Sequence, residues 1–209
     1  NHETTSSATS TTAYARNANL DEDPSGTVLL NFASASEVRM GTIFFTGFPG
    51  FLGVQLLPRV LARSPEDRAG CLVQPKFAGL ARTRVTELEA ADPALAGRIE
   101  LVEGDIPRPG LGLEDPTALA APMTELWHLA AVYDLSVPRD LGMRVNVDGT
   151  RNVLAFAELA PGLRRHQYVS TCYVSGRYAG PCRESGLDVG QRFNNFYEET
   201  KFLAEVEVQ

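Results

Sequence analysis

The feature that most constrains this chain is a short apolar run that leads directly into three glycines spaced three residues apart. The run covers residues 42–46, and the glycines are Gly47, Gly50 and Gly53. Between a strand and a helix, glycine permits a tight turn, lets the backbone approach a pyrophosphate and lets the helix pack closely on the strand. Three glycines also fit an ordinary loop, but the buried run before them and the helical pattern after them favour a phosphate site. The predicted dinucleotide-binding residues are Thr46, Gly47, Phe48, Pro49, Gly50, Phe51, Leu52 and Gly53.

Beyond this turn, strand-like apolar runs alternate with segments of helical periodicity. Strands are predicted at residues 42–46, 71–74, 99–102, 125–130 and 166–170. Helices are predicted at residues 50–62, 80–90 and 140–160, and a last helix opens near residue 194. This alternation indicates an α/β fold with a Rossmann-type doubly wound parallel sheet, which we assign to residues 40–209.

Residues 1–39 differ from the rest of the chain. Residues 1 to about 26 are rich in Ser, Thr, Ala and Asn and lack an apolar period, so we predict that they are flexible or ordered only against a neighbour. We assign residues 1–39 as a whole to an N-terminal extension. A segment starting at Thr27 fits either a short strand or a linker. Met40 begins a stretch that looks like a natural protein start, so the extension is either non-native or a native arm.

Charge and cysteine content limit the partners that we expect. The formal net charge of -7 argues against nucleic acid and against an anionic membrane. No apolar run reaches the roughly 20 residues of a membrane helix, and the first residues lack a secretory signal pattern. Cys71, Cys172 and Cys182 lack the spacing of a disulfide framework or a zinc site. We therefore predict a cytoplasmic protein with reduced thiols and no metal site.

The end of the second predicted strand bears on which dinucleotide is bound. A carboxylate there would hydrogen-bond the ribose hydroxyls of NAD. This chain has Gln74, Pro75 and Lys76 instead, and Arg82 and Arg84 follow. A missing carboxylate with nearby cations suits the 2′-phosphate of NADP, so we predict NADP(H) in preference to NAD(H), with contacts from Gln74 and Lys76. The alternative is that these cations only solvate a surface.

Two patterns toward the end of the chain carry candidate chemistry. Tyr197 and Lys201 have i, i+4 spacing, which places a phenol and an ammonium on one helix face. A tyrosine titrates at about pH 10, and a neighbouring lysine cation together with the nicotinamide charge of the cofactor would lower that pKa toward the range of a general acid. Ser170 and Thr171 end the fifth predicted strand, where a hydroxyl can donate to a substrate carbonyl oxygen. Taken singly, the pair also fits a helix surface, and the hydroxyls fit a strand-end cap.

The order and spacing of these motifs resemble those of the extended short-chain dehydrogenases/reductases. The resemblance implies an oxidoreductase in which Tyr197 donates a proton and Lys201 binds the nicotinamide ribose. It favours Thr171 over Ser170 as the catalytic hydroxyl, and it implies that Asn146 helps to hold a proton-relay water. The cofactor contacts implied by the same resemblance are Asp105 and Ile106 at the adenine and Leu129, Ala130 and Ala131 along the dinucleotide.

Three further segments are similar to the thioester- and fatty-acyl-reductase branch of that family, the male-sterility type. They are residues 72–76, 104–113 and 170–174. The branch uses NADPH to reduce an acyl thioester to an aldehyde or alcohol. Sugar-nucleotide epimerases and hydroxysteroid dehydrogenases share most of these motifs and are the alternatives. The expected partner is a small carbonyl, thioester or alcohol substrate, with a homodimer as a further option.

Extended members of the family continue past the Tyr-Lys helix with a sixth strand and a smaller domain that closes over the substrate. This sequence ends soon after Lys201, so the resemblance implies a C-terminally incomplete Rossmann domain. Two functions from different classes stay open. One is the cofactor half of a reductase, and the other is a catalytically idle dinucleotide-binding module.

Overall fold

The computed structural model describes residues 41–183 and 185–209 of the protein. The predicted extension at residues 1–39, the segment starting at Thr27 and the domain start at Met40 lie outside the described residues. In the described part of the chain, no helix combines the length and the apolar character that crossing a membrane requires.

Five parallel strands form one sheet in the described residues. They are β1 (Thr42–Thr46), β2 (Arg68–Val73), β3 (Ile99–Glu103), β4 (Met123–His128) and β5 (Arg165–Tyr168). Their spatial order is β3-β2-β1-β4-β5, and every neighbouring pair is parallel. This order confirms the predicted doubly wound sheet. The direction of winding reverses between β1 and β4, and ligands bind such sheets at the carboxyl ends of the strands beside that point.

Helices connect the strands. They are α1 (Phe51–Leu61), α2 (Ala78–Ala91), α3 (Pro116–Ala120), α4 (Arg139–Gly142), α5 (Gly149–Glu158) and α6 (Phe196–Val208). Short 3-10 turns lie at Pro75–Phe77, Pro93–Leu95, Pro109–Gly112 and Cys172–Ser175. The sequence analysis does not predict α3, because five residues are too few for a periodic signal. Its cap was nevertheless present in the sequence, since the Asp115 side chain accepts a hydrogen bond from the backbone N–H of Ala118.

The helix predicted over residues 140–160 contains an irregular segment. A six-residue π-helix, Met143–Asp148, lies between α4 and α5, so residues 139–158 form one continuous helical stretch. A π-helical turn holds more residues than an α-helical turn, and such segments occur frequently at functional sites. Asn146 lies within this segment and is buried.

The hydrophobic core covers both faces of the sheet because β1 is apolar on both of its sides. Phe45 belongs to the cluster on one face and stacks on Trp127, with ring centroids 5.7 Å apart. Phe44 belongs to the other cluster and packs on Phe156 at 4.8 Å. Burying a phenylalanine contributes roughly 1.5–3 kcal/mol. These two side chains therefore anchor the strand that carries the glycine turn.

Candidate functional site

The glycine turn between β1 and α1 is sterically closed to larger residues. Gly47 has a φ of +89°, and a Cβ there would lie 2.8 Å from the backbone nitrogen of Ala130. A Cβ on Gly50 would lie 2.8 Å from the carbonyl oxygen of Gly47, and one on Gly53 would lie 2.9 Å from it. The N–H of Gly50 donates to that oxygen at 2.9 Å. The backbone of the turn itself therefore requires all three glycines.

The helix that follows the turn starts at the carboxyl end of β1 with an open N-terminus. Gly50 is the N-cap residue and provides no side-chain cap, and Phe51 is 79% exposed. Phe48 is buried beneath the turn, Pro49 is half-buried and Leu52 is exposed. The N–H groups of a first helical turn lack intrahelical partners and carry the positive end of the helix dipole. This arrangement suits a pyrophosphate.

Thr46 ties the glycine turn to the loop after β4. Its hydroxyl oxygen accepts hydrogen bonds from the backbone N–H groups of Leu129 and Ala130, both at 3.2 Å. The same oxygen lies 2.7 Å from Nδ1 of His128. Burial lowers the pKa of His128 to about 3, so its ring is neutral at physiological pH. Leu129 and Ala130 thus lie against the turn, and Ala131 follows them at the surface.

A groove of about 650 Å³ lies at the carboxyl ends of β2 and β3. It is lined by Gln74, Pro75, Lys76, Glu103, Gly104, Asp105, Arg108, Gly112 and Glu114. Gln74 Nε2 donates to Asp105 Oδ1 at 2.7 Å and so joins the ends of the two strands. The Lys76 ammonium lies 4.9 Å from the ring centre of Phe77. Two cationic and three acidic side chains therefore share this groove with Gln74.

Arg108 is a candidate binding residue that the sequence analysis missed. It lies within the quoted segment 104–113, but only the fold places it in the same groove as Lys76. Arg84 pairs instead with Glu87 on α2 at 2.6 Å and does not line the groove. Ile106, a predicted adenine contact, is 4% exposed and packs in the core.

Tyr197 lies in the first turn of α6, which Asn195 caps through its side-chain oxygen. The phenol ring is buried and contacts the rings of Tyr133 and Tyr173 edge-on, at centroid distances of 5.0 and 6.4 Å. Burial raises the pKa of Tyr197, and a hydrogen bond with the Thr171 hydroxyl opposes that rise. The phenol is therefore protonated near neutral pH, and it is a weaker acid than a free tyrosine.

Lys201 follows Tyr197 by one helical turn but hydrogen-bonds elsewhere. Its Nζ donates to the hydroxyl of Tyr168 at 2.7 Å and to the carbonyl oxygen of Val169 at 2.9 Å. Burial lowers the pKa of Lys201 to about 8, and the Glu205 carboxylate opposes that effect. Lys201 is not among the groups that lower the pKa of Tyr197 in this structure, and the lowering expected from Lys201 together with the nicotinamide charge stays a prediction. The ammonium is engaged with Tyr168, and burial of the phenol dominates.

The two candidate hydroxyls after β5 have different partners. The strand ends at Tyr168, so Ser170 and Thr171 both lie in the loop that follows it. The Ser170 hydroxyl donates to the carboxylate of Glu205. The Thr171 oxygen accepts from the backbone N–H of Tyr173 at 3.3 Å, and the Thr171 hydroxyl hydrogen-bonds Tyr197. The fold thus brings Thr171, rather than Ser170, to the phenol.

Asn146 binds protein groups with its whole side-chain amide. Oδ1 accepts from the backbone N–H of Val132 at 2.8 Å. Nδ2 donates to Thr200 Oγ1 at 3.1 Å and to the carbonyl oxygen of Val132 at 3.3 Å. The backbone carbonyl of Asn146 accepts from the Thr150 hydroxyl at 2.6 Å. Asn146 therefore joins the loop after β4 to α6 through protein contacts, and its role in holding a proton-relay water stays a prediction.

A second groove, of about 640 Å³, adjoins the start of α6. It is lined by Leu135, Ser136, Val137, Gln191, Arg192, Phe193, Asn194, Asn195, Phe196 and Glu199. Phe196, which precedes Tyr197 in the chain, lines the groove, but Tyr197 itself does not. Across residues 41–183 and 185–209, no group of three or more His, Cys, Asp or Glu side chains is arranged to hold a metal ion.

Known proteins are similar to most of this chain. Residues 45–209 match an NAD-binding family whose description is Male sterility protein. Peramine synthetase ppzA of Metarhizium rileyi is 30% identical over 181 residues, which cover 80% of this chain and 6% of that protein. Fatty acyl-CoA reductase 1 of Arabidopsis thaliana is 26% identical over 170 residues, which cover 72% of this chain and 35% of that protein.

The fold is also similar to that of a solved reductase domain. The crystal structure of the terminal R domain from the myxalamid PKS-NRPS biosynthetic pathway superposes with a TM-score of 0.67 at 30% identity. The match covers 81% of this chain and 45% of that one. The chain therefore spans less than half the length of each of these three proteins.

Proposed function

Because this chain belongs to the male sterility protein family of the extended short-chain dehydrogenases/reductases, we propose that it is the cofactor-binding half of an NADPH-dependent reductase of acyl thioesters. One observation carries this proposal. The glycine turn and the Thr171–Tyr197 contact stand at the carboxyl edge of the same parallel sheet. Doubly wound sheets bind dinucleotides at that edge.

The residues at this edge suit a dinucleotide that extends across the switch point. The N-terminus of α1 would hold the pyrophosphate, and the groove at β2 and β3 would hold the adenosine end. We favour NADP(H) over NAD(H) because Gln74 occupies the position at which a carboxylate would accept hydrogen bonds from the ribose hydroxyls of NAD. The Gln74 side chain also donates a hydrogen bond to Asp105. Lys76 and Arg108 supply two cations for the 2′-phosphate in that groove.

The chemistry needs one hydride and one proton at the substrate carbonyl. The bound dinucleotide would supply the hydride to the carbonyl carbon of the thioester. Thr171 and Tyr197 would donate hydrogen bonds to the carbonyl oxygen, and Tyr197 would transfer its proton as that oxygen gains negative charge. The resulting hemithioacetal then releases a thiol and leaves an aldehyde.

An acyl thioester is the substrate class that the relatives favour, since one of them is a fatty acyl-CoA reductase. The groove of about 640 Å³ at the start of α6 is the place that we propose for the acyl chain. Leu135 and Phe196 line it and are 51% and 46% exposed. Apolar side chains that are open to solvent at a groove provide surface for an apolar ligand.

A catalytically idle dinucleotide-binding module is the second candidate. The raised pKa of Tyr197 favours it, because the phenol is then a weaker acid than a free tyrosine. A measurement of turnover distinguishes a reductase from an idle dinucleotide-binding module. The protein would be incubated with an acyl-CoA and with NADPH that carries deuterium at the reactive nicotinamide carbon, and the products would be identified by mass spectrometry.

A reductase predicts an aldehyde, or the alcohol derived from it, that carries deuterium on the former carbonyl carbon. Binding of NADPH without any deuterated product would contradict the reductase proposal and support the idle module. Gly50→Val is the matched control, because its Cβ would lie 2.8 Å from the Gly47 carbonyl oxygen and so disrupt the phosphate turn. Product formation by that variant would point to a contaminating enzyme.

A further inference from the structure

A chain of buried groups connects Lys201 to the π-helical segment. Lys201 Nζ donates to the Tyr168 hydroxyl at 2.7 Å, and that hydroxyl hydrogen-bonds Thr150. Thr150 donates to the carbonyl oxygen of Asn146 at 2.6 Å, and His128 Nε2 lies 3.0 Å from the Thr150 oxygen. The four residues that surround Tyr168 in this network are each at most 3% exposed: His128, Asn146, Thr150 and Lys201. The network is therefore screened from solvent.

The number of available protons sets the direction of these hydrogen bonds. Thr150 has one hydroxyl proton, and the Asn146 carbonyl can only accept it. The Thr150 oxygen must then accept from His128 Nε2 and from the Tyr168 hydroxyl. The Tyr168 oxygen presents a lone pair to Lys201, which donates to it at 2.7 Å, and the Tyr168 proton is thereby left to point toward Thr150. Thr150 thus orients Tyr168 as an acceptor.

We propose that Tyr168, oriented by Thr150, is a positioning residue that holds the Lys201 ammonium for the nicotinamide ribose. This inference rests on the proposed function, since it needs a dinucleotide at this edge of the sheet. A lysine ammonium has three donors. Two of them go to the Tyr168 hydroxyl and to the Val169 carbonyl at 2.9 Å. The direction of the third N–H is thereby fixed, and it would donate to a ribose hydroxyl.

Few neighbouring charges stabilise the Lys201 ammonium, so its charged state depends on the hydrogen bond with Tyr168. Burial lowers the pKa of Lys201 to about 8, and among its neighbours the Glu205 carboxylate supports the charged form. The other titratable groups that face it are neutral at physiological pH. Burial raises the pKa values of Tyr168 and Tyr197 and lowers that of His128. Removal of the Tyr168 oxygen would therefore lower the pKa of Lys201 further and discharge it near neutral pH.

Tyr168→Phe isolates this contact. The substitution keeps the ring, whose centre lies 4.3 Å from Lys201 Nζ, and removes only the hydroxyl. The sequence has two lysines, Lys76 and Lys201, so NMR of lysine labelled with carbon-13 at Cε can follow each ammonium through a pH titration. The Lys201 midpoint should fall by about one to two pH units, which is the worth of a hydrogen bond to a charged group. Tyr178→Phe changes an exposed tyrosine and should leave both midpoints unchanged.

A second pair of variants changes Thr150, and so tests the contact between Tyr168 and Lys201 through the residue that orients Tyr168. Thr150→Val removes the hydroxyl that orients Tyr168, and it should also lower the Lys201 midpoint. Thr150→Ser keeps a hydroxyl and should preserve the midpoint of the unsubstituted protein. An unchanged Lys201 midpoint in both Tyr168→Phe and Thr150→Val would overturn the role proposed for Tyr168.

Calorimetric titration with NADPH tells the two proposals apart. In the unsubstituted protein, affinity should weaken as the pH rises through the Lys201 midpoint. In Tyr168→Phe the weakening should begin at lower pH, with Kd at pH 7.5 raised about tenfold. If Tyr168→Phe lowered the midpoint but left Kd unchanged, the ribose part of the inference would be wrong. If the unsubstituted protein bound no NADPH, the proposed function would fail, while the lysine titration alone would still decide whether Tyr168 holds Lys201.

Discussion

The hydroxyl of Thr171 hydrogen-bonds the phenol of Tyr197. The neighbouring Ser170 has nearly the same chemistry, yet its hydroxyl is held by the Glu205 carboxylate of α6. The chain leaves β5 at Tyr168 and enters a 3-10 turn at Cys172–Ser175, so consecutive residues face different partners there. This contact separates the two candidate hydroxyls and supports assigning the donor role to Thr171.

Substitution of the two hydroxyls should therefore have unequal effects on turnover. Thr171→Val removes a donor aimed at the substrate oxygen and should lower kcat about 100- to 1,000-fold. Ser170→Ala removes a hydroxyl that is already bonded to Glu205, and it should lower kcat by less than about tenfold. Steady-state kinetics of acyl-CoA reduction would compare them. Equal losses in the two variants would contradict the assignment.

Tyr197→Phe removes the proposed proton donor and little volume. Turnover should fall by about two to four orders of magnitude, the usual worth of a positioned acid. NADPH affinity and the melting temperature should change little, because the ring contacts with Tyr133 and Tyr173 are kept. Single-turnover kinetics with saturating cofactor would measure the chemical step. If the variant reduced the thioester at the rate of the unsubstituted protein, Tyr197 would not be the proton donor and its ring would serve only in packing.

Gly47→Ala should unfold or strongly destabilise the glycine turn. Its φ of +89° strains any side chain, and the new Cβ would lie 2.8 Å from the backbone nitrogen of Ala130. Gly97→Ala is the matched control, since Gly97 also has a positive φ, of +68°, but nothing lies within 4 Å of its Cβ position. Urea unfolding should show a loss of about 1–3 kcal/mol for Gly97→Ala and a clearly larger loss for Gly47→Ala. Similar losses would mean that the close approach to Ala130 is unimportant.

Lys201 should give the fold a measurable pH dependence. Its pKa is about 8 when folded and 10.5 in the reference state, so the unfolded chain binds more protons between these values. The contribution of this residue to stability therefore rises as the pH increases from about 8 to about 10.5. Below that window the buried ammonium costs on the order of 3 kcal/mol. The substitution Lys201→Met removes this cost.

Urea unfolding from neutral to alkaline pH would test this linkage. Relative to the unsubstituted protein, Lys201→Met should be most favourable near pH 7, and its advantage should shrink as the pH rises through about 8 toward 10.5. Lys76→Met changes an exposed lysine and should show no such trend. A difference between Lys201→Met and the unsubstituted protein that stayed constant with pH would contradict the burial of a charged Lys201.

Local patterns were sufficient to predict the part of the fold that carries the cofactor turn. The apolar run of β1, the spacing of Gly47, Gly50 and Gly53 and the alternation of strands and helices all depend on residues close in sequence. The π-helical segment Met143–Asp148 was not predictable, because its pattern of apolar residues is also compatible with a regular α-helix. The helix α3 was not predicted, because its five residues are too few to show a helical period.

The candidate site was predictable as a set of residues but not as a set of contacts. The i, i+4 rule placed Tyr197 and Lys201 on one face, but Lys201 binds Tyr168, which lies 33 residues earlier in the chain. Arg108 enters the groove of Lys76 only because β2 and β3 are neighbours. Such partners depend on tertiary approach, and no short sequence pattern encodes it.

Calorimetric titration of this protein with NADPH and NADH tests the central claim most directly. We expect one dinucleotide site, tighter binding of NADPH than of NADH, and loss of that preference when Lys76→Gln and Arg108→Gln are combined. Arg84→Gln, which breaks only the pair with Glu87 on α2, should leave the preference intact. A preference for NADH would contradict the choice of cofactor. No binding of either dinucleotide would contradict the assignment of this sheet edge as a cofactor site.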